Sequence, residues 1–557
     1  MNTIKKLLIL QVCLAAIWSI FPIQAYAIDP QYIFVRKNPM YCNPSDCSQL
    51  WNMANPNLDL YPGIIDIYNK VGHGTDQRKL GIGVEILYFE YDFNAVRDSL
   101  EKLLDYSKIH TVPIFLSLGG FQWWDTQPNL WNWWDPNGPG YNLNNKNNVE
   151  WTCGNSSCAL RKSWRNWGNE IEVKPHPNLA SRPFIDANKN SLDQLIPIIV
   201  NWYDNDLSTD QKWLFGGISL GIEIDIGGNY YYPGGGIGSS QQLGYAAINT
   251  LGLSGITTAN FNTIVRNYIN ELDKKAFDLG IPRNKIFNHI GGSDLLPPQN
   301  NLVHQTAEAS VSTYGNPGWS FYDDITKNPQ NYPGLSTSLD QVGNNTWASP
   351  EWLTFAGNYD GWVQALRASL NYRNNRFINI ANWEEIRDHQ YILDAINTVV
   401  NENPTCWVAA PQMQSVNVNG DTVTLTWQKG TNNDAVYLNI STVGDFNVTG
   451  IFKTINIANE NVTNLSSWTK NNLNGGKYYW GLIADGCGNQ RKIADGSFMV
   501  GSLPGDANAD GLVNTADYTI WANHYPQAQS GQENGDFNQD NQVNGIDYTI
   551  WLNNFAE

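Results

Sequence analysis

Along residues 28–403, short apolar runs alternate with stretches whose apolar positions recur at helical spacing. Leu80–Phe89 (LGIGVEILYF), Val112–Leu118 (VPIFLSL), Phe215–Ile224 (FGGISLGIEI), Lys285–Ile290 and Phe377–Trp383 (FINIANW) read as buried strands. Between them, Val96, Leu100, Leu103 and Leu104 fall on one helical face, as do Phe261, Ile264, Val265, Tyr268, Ile269 and Leu272. Strand–helix alternation of this length predicts a parallel sheet, and the commonest such fold is a (β/α)8 TIM-like barrel; an open doubly wound sheet is the alternative.

Near Pro404 the period changes. Residues 404–500 alternate strictly in Val423–Trp427, Val436–Ile440 and Tyr478–Ile483, with turn pairs at Asn419-Gly420 and Gly475-Gly476. Short strands over about a hundred residues predict a β-sandwich of immunoglobulin type. Trp427 in VTLTWQ and the later GGKYYWGLIA resemble a fibronectin type III domain, which implies a spacer or accessory role.

Residues 501–504 form a short linker, and 505–557 contain a repeat. Asp506, Asn508, Asp510, Asn514 and Asp517 are matched by Asp536, Asn538, Asp540, Asn544 and Asp547, and each set runs on into Tyr-Thr-Ile-Trp at 518–521 and 548–551. These are oxygen donors at loop positions 1, 3, 5, 9 and 12, with Leu512 and Gln542 offering backbone carbonyls at position 7. A tight turn is needed at position 6. Gly511 supplies one directly, and Asn541 reaches the same left-handed conformation at some strain. Position 12 is Asp and one helix is expected after each loop, so the tandem strongly resembles a type I dockerin. That resemblance implies two bound Ca2+ ions and docking on a cohesin-like protein within a polysaccharide-degrading system.

The N-terminus carries Lys5 and Lys6, then a mostly apolar stretch from Leu7 to Ile23, then Ala25-Tyr26-Ala27. This is the order of a secretory signal peptide over residues 1–27, and it predicts a secreted, extracellular or cell-surface protein with no membrane span. Of the seven cysteines, Cys13 belongs to that segment. In an oxidising compartment the remaining six suggest disulfides Cys42–Cys47, Cys153–Cys158 and Cys406–Cys487. A net charge of −18 argues against nucleic acid or anionic lipid as partner. The 23 tryptophans and 27 tyrosines suit carbohydrate, because flat aromatic rings stack on the C–H faces of sugars, although many must serve the core.

Candidate chemistry lies after the predicted barrel strands, where barrel enzymes keep their sites. Gln122, Trp123, Trp124, Asp125 and Trp131 follow the VPIFLSL strand; a satellite hydrophobic cluster is the competing reading. Glu223 and Asp225 end the FGGISLGIEI run, where an unpaired charge is costly, and Tyr230 follows them. Glu351 and Glu384 lie near the two late strands, Trp383 stands beside Glu384, and His289, Tyr314 and Trp319 surround strands five and six. Glycosidases use one carboxyl as acid and another as nucleophile or base. The layout resembles the retaining clan of glycoside hydrolase barrels, and the likeness implies an acid/base after strand four and a nucleophile after strand seven. On the strand count these fall on Glu223 and on Glu351, with Glu384 after strand eight as the other candidate nucleophile. Ile222 stands where that clan has Asn before its acid/base. The alternative is a non-catalytic carbohydrate-binding or scaffold-attached protein on the same barrel.

Overall fold

The computed structural model describes residues 30–37, 61–120, 124, 126–150, 162–163, 171–172, 176–221, 245–255, 257–291, 312–322, 347–351, 357–372, 375–380, 383–404, 407–447, 449–487, 490–501, 504–508 and 513–555. The segment expected to be a signal peptide, and Cys42, Cys47, Cys153, Cys158 and Cys406, lie outside them. Cys487 is disulfide-bonded.

Eight parallel strands close into a barrel: β1 (Gln31–Arg36), β2 (Arg78–Leu87), β3 (Ile114–Gly119), β4 (Phe215–Leu220), β5 (Ile286–Gly291), β6 (Asn316–Tyr322), β7 (Trp347–Glu351) and β8 (Phe377–Ile380). Each pairs with the next, and β8 returns to β1 through Tyr32↔Phe377, so the open sheet is excluded. Helices α1 (Tyr61–Val71), α2 (Phe93–His110), α3 (Arg182–Asn201), α4 (Thr258–Asp278), α5 (Tyr359–Asn371) and α6 (Gln390–Val400) cover the outside. Their ends are set locally. Asp92, Ser181 and Thr257 accept N–H groups of the first turns of α2, α3 and α4, which would otherwise lack partners. The apolar faces read from the sequence, Val96 to Leu104 and Phe261 to Leu272, are the buried ones.

Aromatic rings fill the lower barrel. Phe34, Phe115, Phe287 and Trp347, from the odd-numbered strands, form one layer, with Phe34–Phe115 and Phe115–Trp347 centroids 5.7 and 5.4 Å apart. Trp347 fits only because position 318 is glycine: a Cβ there would lie 1.9 Å from its indole nitrogen.

The second module consists of a three-stranded sheet, β9 (Gln412–Asn419), β10 (Thr422–Gln428) and β13 (Ser467–Lys470), and a four-stranded sheet, β12 (Ala458–Asn461), β11 (Ala435–Ser441), β14 (Gly476–Gly486) and β15 (Gln490–Val500). Along β10 the alternation is as read, with Val423, Leu425 and Trp427 buried against residues of both sheets. The phenol of Tyr478, early in β14, donates to the carbonyl of Asn474 at 2.9 Å and ties that corner down.

This sandwich is fastened to the barrel's N-terminal end. The Asp495 carboxylate in β15 accepts the backbone N–H groups of Arg283 and Asn284 just before β5. Phe277 at the end of α4 packs on Phe446 and Tyr479, with centroids 5.2 and 5.6 Å away. The last module is two loop–helix halves carrying α7 (Thr515–His524) and α8 (Gly545–Asn554). They interlock reciprocally: Trp521 donates its indole N–H to the Asn544 carbonyl, and Trp551 donates to that of Asn514. Among the described residues no helix is long and apolar enough to cross a membrane.

Candidate functional site

Two of the expected carboxylic residues lie at the barrel's C-terminal rim. Glu351 is the last residue of β7, in register with Tyr322 of β6. Glu384 lies in a short helix, Trp383–Ile386, just after β8. Glu223 comes three residues beyond the end of β4, outside the described residues, as do Gln122, Trp123, Asp125, Asp225 and Tyr230. His289 falls within β5 and Trp319 within β6.

Four expected cleft residues belong elsewhere. Trp124 and Trp131 are 0 % and 7 % exposed. Trp124 sits edge-on to Phe184 of α3, and Trp131 donates its N–H to the Trp124 carbonyl at 2.9 Å while stacking on Trp134. They belong to the main hydrophobic core instead of forming a wall for ligand. Trp383, 1 % exposed, is part of the main core. Tyr314 precedes β6 and is therefore at the opposite end of the barrel, against Phe277 and Phe446. In each case an apolar ring met a better apolar partner than a sugar face.

Above the aromatic layer the barrel filling turns polar, with residues outside the motifs named above. Arg36, the last residue of β1, forms a buried ion pair with Glu85 of β2, Nη1 to Oε1 at 2.6 Å. Glu85 is in register with Ser117 of β3, and Ser117 with Ser219 of β4. All three stand at the inward parity of their strands: Ser117 is two residues beyond Phe115 in the aromatic layer, and Ser219 two beyond Gly217, whose missing Cβ would meet the Phe287 ring. Asn379 of β8 is buried across from β2, and a Cβ on Gly83 would fall 2.4 Å from its Oδ1. Ser219 Oγ is enclosed and, among the described residues, has no hydrogen-bond partner. The signal for Glu85 was present, since it is a carboxylate inside LGIGVEILYF just as Glu223 is inside FGGISLGIE.

The other site is the pair of C-terminal loops. Asp517 Oδ1 accepts the N–H groups of Ala507 and Asn508, and its Oδ2 accepts that of Asn514 at 2.8 Å. Asp547 repeats this with Phe537, Asn538 and Asn544. The Asp536 oxygens accept from Asp540 and Asn541, and Asn541 takes the expected left-handed turn at φ 65°. Asp510 and Leu512 lie outside the described residues; Asp506, Asn508, Asn514, Asn538, Asp540, Gln542 and Asn544 occupy the loops as read. A carboxylate has about four acceptor positions. Asp517 and Asp547 therefore each retain one, and Asp536 retains more. Residues 505–557 contain eight Asp and Glu and no Lys or Arg. The donor set is all oxygen, and its charge has no side-chain counter-ion, so it fits a hard cation such as Ca2+.

Residues 504–555 match the family model described as the dockerin type I domain. This segment is a dockerin. Domains of this type bind calcium and pair with cohesins. No curated protein matches the chain. Among solved structures it is similar to a Cellulomonas fimi endo-β-1,4-mannanase double mutant, at 9 % identity over 84 % of this chain and 94 % of that one, with a TM-score of 0.34. It is also similar to a family 39 glycoside hydrolase from Bacteroides cellulosilyticus WH2, at 10 % identity over 80 % and 82 % of the two chains, with a TM-score of 0.32. The glycoside hydrolase domain of PgaB (BpsB) from Bordetella bronchiseptica aligns at 11 % identity over 64 % of this chain and 85 % of that one, with a TM-score of 0.26. Scores this low carry nothing about activity or substrate.

Proposed function

We infer that the dockerin-bearing chain is an exported glycoside hydrolase acting on a polysaccharide or oligosaccharide and held to a cohesin-like partner through a dockerin loaded with two Ca2+ ions. The reading is carried by one conjunction: glutamates stand at or just beyond the ends of strands four, seven and eight of a closed parallel barrel in a chain that carries a dockerin. Glu223 is assigned as general acid/base and Glu351 as nucleophile, with Glu384 as the other candidate. In the retaining reaction the acid protonates the departing glycosidic oxygen while the nucleophile attacks the anomeric carbon; water, deprotonated by the former acid, then attacks the same carbon, breaking its bond to the nucleophile and releasing the sugar and the free carboxylate. Gln122, Trp123, Asp125, Asp225, Tyr230, His289 and Trp319 remain candidate sugar contacts. Asp506, Asn508, Asp510, Asn514, Asp517 and the Leu512 carbonyl are assigned to one ion, and Asp536, Asn538, Asp540, Asn544, Asp547 and the Gln542 carbonyl to the other. The ions would offset the charge that the loops gather. Residues 1–27 are assigned as the export signal, 28–403, 404–500 and 505–557 as the three modules, and Cys406 as the partner of Cys487.

Reducing-sugar release from a panel of polysaccharides tests the enzyme reading. Wild type should release sugar from at least one polymer, and Glu223→Gln should lower kcat by about 10²- to 10⁴-fold while binding survives. Full activity in that variant removes Glu223 from the role. Binding without release by wild type favours the non-catalytic carbohydrate-binding protein, the reading that Ile222 in the place of Asn supports.

A further inference from the structure

The segment between β3 and α3 carries seven asparagines within residues 132–148, and the fold sorts them by direction. Asn132, Asn145 and Asn148 are buried and use their amides to hold the backbone. Asn132 Nδ2 donates to the carbonyls of Asp135 and Pro139, Asn145 Nδ2 to those of Asn132 and Gly140, and Asn148 Nδ2 to that of Leu130. The Asn142 N–H closes the turn on the Asn132 carbonyl at 3.0 Å. The segment is also pinned to the barrel's C-terminal rim on both sides. Thr126 donates its hydroxyl to the Phe89 carbonyl just beyond β2. Glu150 accepts the N–H groups of Ala246 and Ala247 at the start of the short helix Tyr245–Thr250 that follows β4.

Held in this way, the loop turns an apolar pair outward among exposed amides. Tyr141 is 37 % and Leu143 68 % exposed, and Asn142 between them is extended at φ −154° and ψ 126°, so both side chains leave the chain on one side. Asn137, Asn144 and Asn147 are exposed, and among the described residues their side chains make no hydrogen bond. We propose that this outward face is an auxiliary glycan-binding surface for a neutral polysaccharide chain. The Tyr141 ring and Leu143 lie against the C–H face of a sugar ring, and the asparagine amides bond its hydroxyls. A sugar presents an apolar face rimmed by groups that both donate and accept, which matches an aromatic ring flanked by amides. A polyanion is disfavoured: residues 132–148 hold one Asp and one Lys in a chain of net charge −18, and that lysine, Lys146, lies 5.7 Å over the Trp133 ring. A protein partner would need a patch far larger than two side chains. The proposal rests on the carbohydrate reading of the chain but not on its catalytic residues, and it adds a second contact at the same end of the barrel as Glu351.

The test runs full-length wild type, Tyr141→Ala and Tyr141→Phe, with calcium, through native gels containing soluble glucan, mannan, xylan or polygalacturonate. Kd is read from the retardation, and Tm is measured beside it. Wild type should be retarded by at least one neutral polymer. Tyr141→Ala should weaken that binding by about 3- to 10-fold, the size of one aromatic contact, with Tm unchanged. Tyr141→Phe, which keeps the ring, should bind as wild type does. Equal retardation of wild type and Tyr141→Ala would overturn the proposal, as would no retardation by any polymer or stronger retardation by polygalacturonate. Weaker binding together with a lowered Tm would assign the ring to the loop's structure and overturn it too. Reducing-sugar release from the same polymers separates this proposal from the hydrolase reading. Release with equal retardation keeps the hydrolase and removes this surface, whereas Tyr141-dependent retardation without release keeps the surface and removes the hydrolase.

Discussion

The barrel–sandwich junction and the dockerin both bury carboxylates, and they neutralise them differently. At the junction, Asp495 lies beside Arg283, and burial pushes its carboxyl up to about 6 although that guanidinium pulls the other way. Arg283 is itself drawn down by burial to about 10, and it is fully engaged: Nε donates to the Thr313 carbonyl, Nη1 to Asn316 Oδ1 and Nη2 to the Gly315 carbonyl. Charge and counter-charge come from the same chain, 212 residues apart. In the dockerin, Asp517, Asp536 and Asp547 are 0 % exposed, and backbone N–H groups hold them, but the module has no Lys or Arg to cancel their charge. The junction can therefore form whenever the chain folds, whereas the dockerin depends on an ion from outside. A welded junction and a conditional anchor suit a barrel–sandwich unit that stays rigid and a docking unit that needs a soluble cation.

The strongest way to break this contrast is to remove calcium. In the full-length protein a chelator should unfold the dockerin almost completely and abolish partner binding, while the main calorimetric transition stays in place. A shift of both transitions together would show that the modules are not independent. Next in size is Arg283→Met, which removes the nearer of the two cations acting on buried Asp495. It also leaves the Thr313 and Gly315 carbonyls and Asn316 Oδ1 without that donor, and should cost the barrel–sandwich unit about 3 kcal/mol in urea denaturation. Calcium-dependent docking should be unaffected; if stability is unchanged, the junction charge is not what fastens the modules. The smallest effect concerns Asp273 in α4, pushed up to about 7 by burial despite hydrogen bonds from Asn288 and Ser312. An unfolded Asp titrates near 3.9, so the native state binds this proton more tightly. Its contribution to stability is complete below about pH 4 and is lost as pH rises through about 7. Wild type should therefore lose about 1 kcal/mol more than Asp273→Asn between pH 6 and 7, read from urea midpoints. Equal slopes would show that Asp273 stays ionised in the fold.

Local periodicity made much of this legible. LGIGVEILYF and VPIFLSL are strands, the α2 and α4 stripes are the buried faces, and Glu351 ends strand seven, whereas Glu384 lies in a short helix just after strand eight. Asn541 adopts the turn its loop position requires. The tryptophans were not legible in the same way. Trp124, Trp131 and Trp383 are apolar whether they face a cleft or the core, and nothing in their spacing distinguishes the two. Tyr314 does lie near a strand, but before it, and a residue before a barrel strand and one after it are at opposite ends. Glu85 carries the same signal as Glu223, a carboxylate in an apolar run.

By itself the sequence determined what is contiguous. The calcium loops place every donor within twelve residues, so backbone geometry and side-chain chemistry over one short segment suffice to specify them. The order of strands and helices is fixed in the same way, by periods of two and 3.6. Only the tertiary structure decided which separate segments meet: closure through Tyr32↔Phe377, the register that aligns Glu85, Ser117 and Ser219, and the approach of Arg283 to Asp495. Those pairings depend on how eight strands tilt and stagger around one packed interior, where a shift of one residue on any strand would turn each of these side chains to the other face.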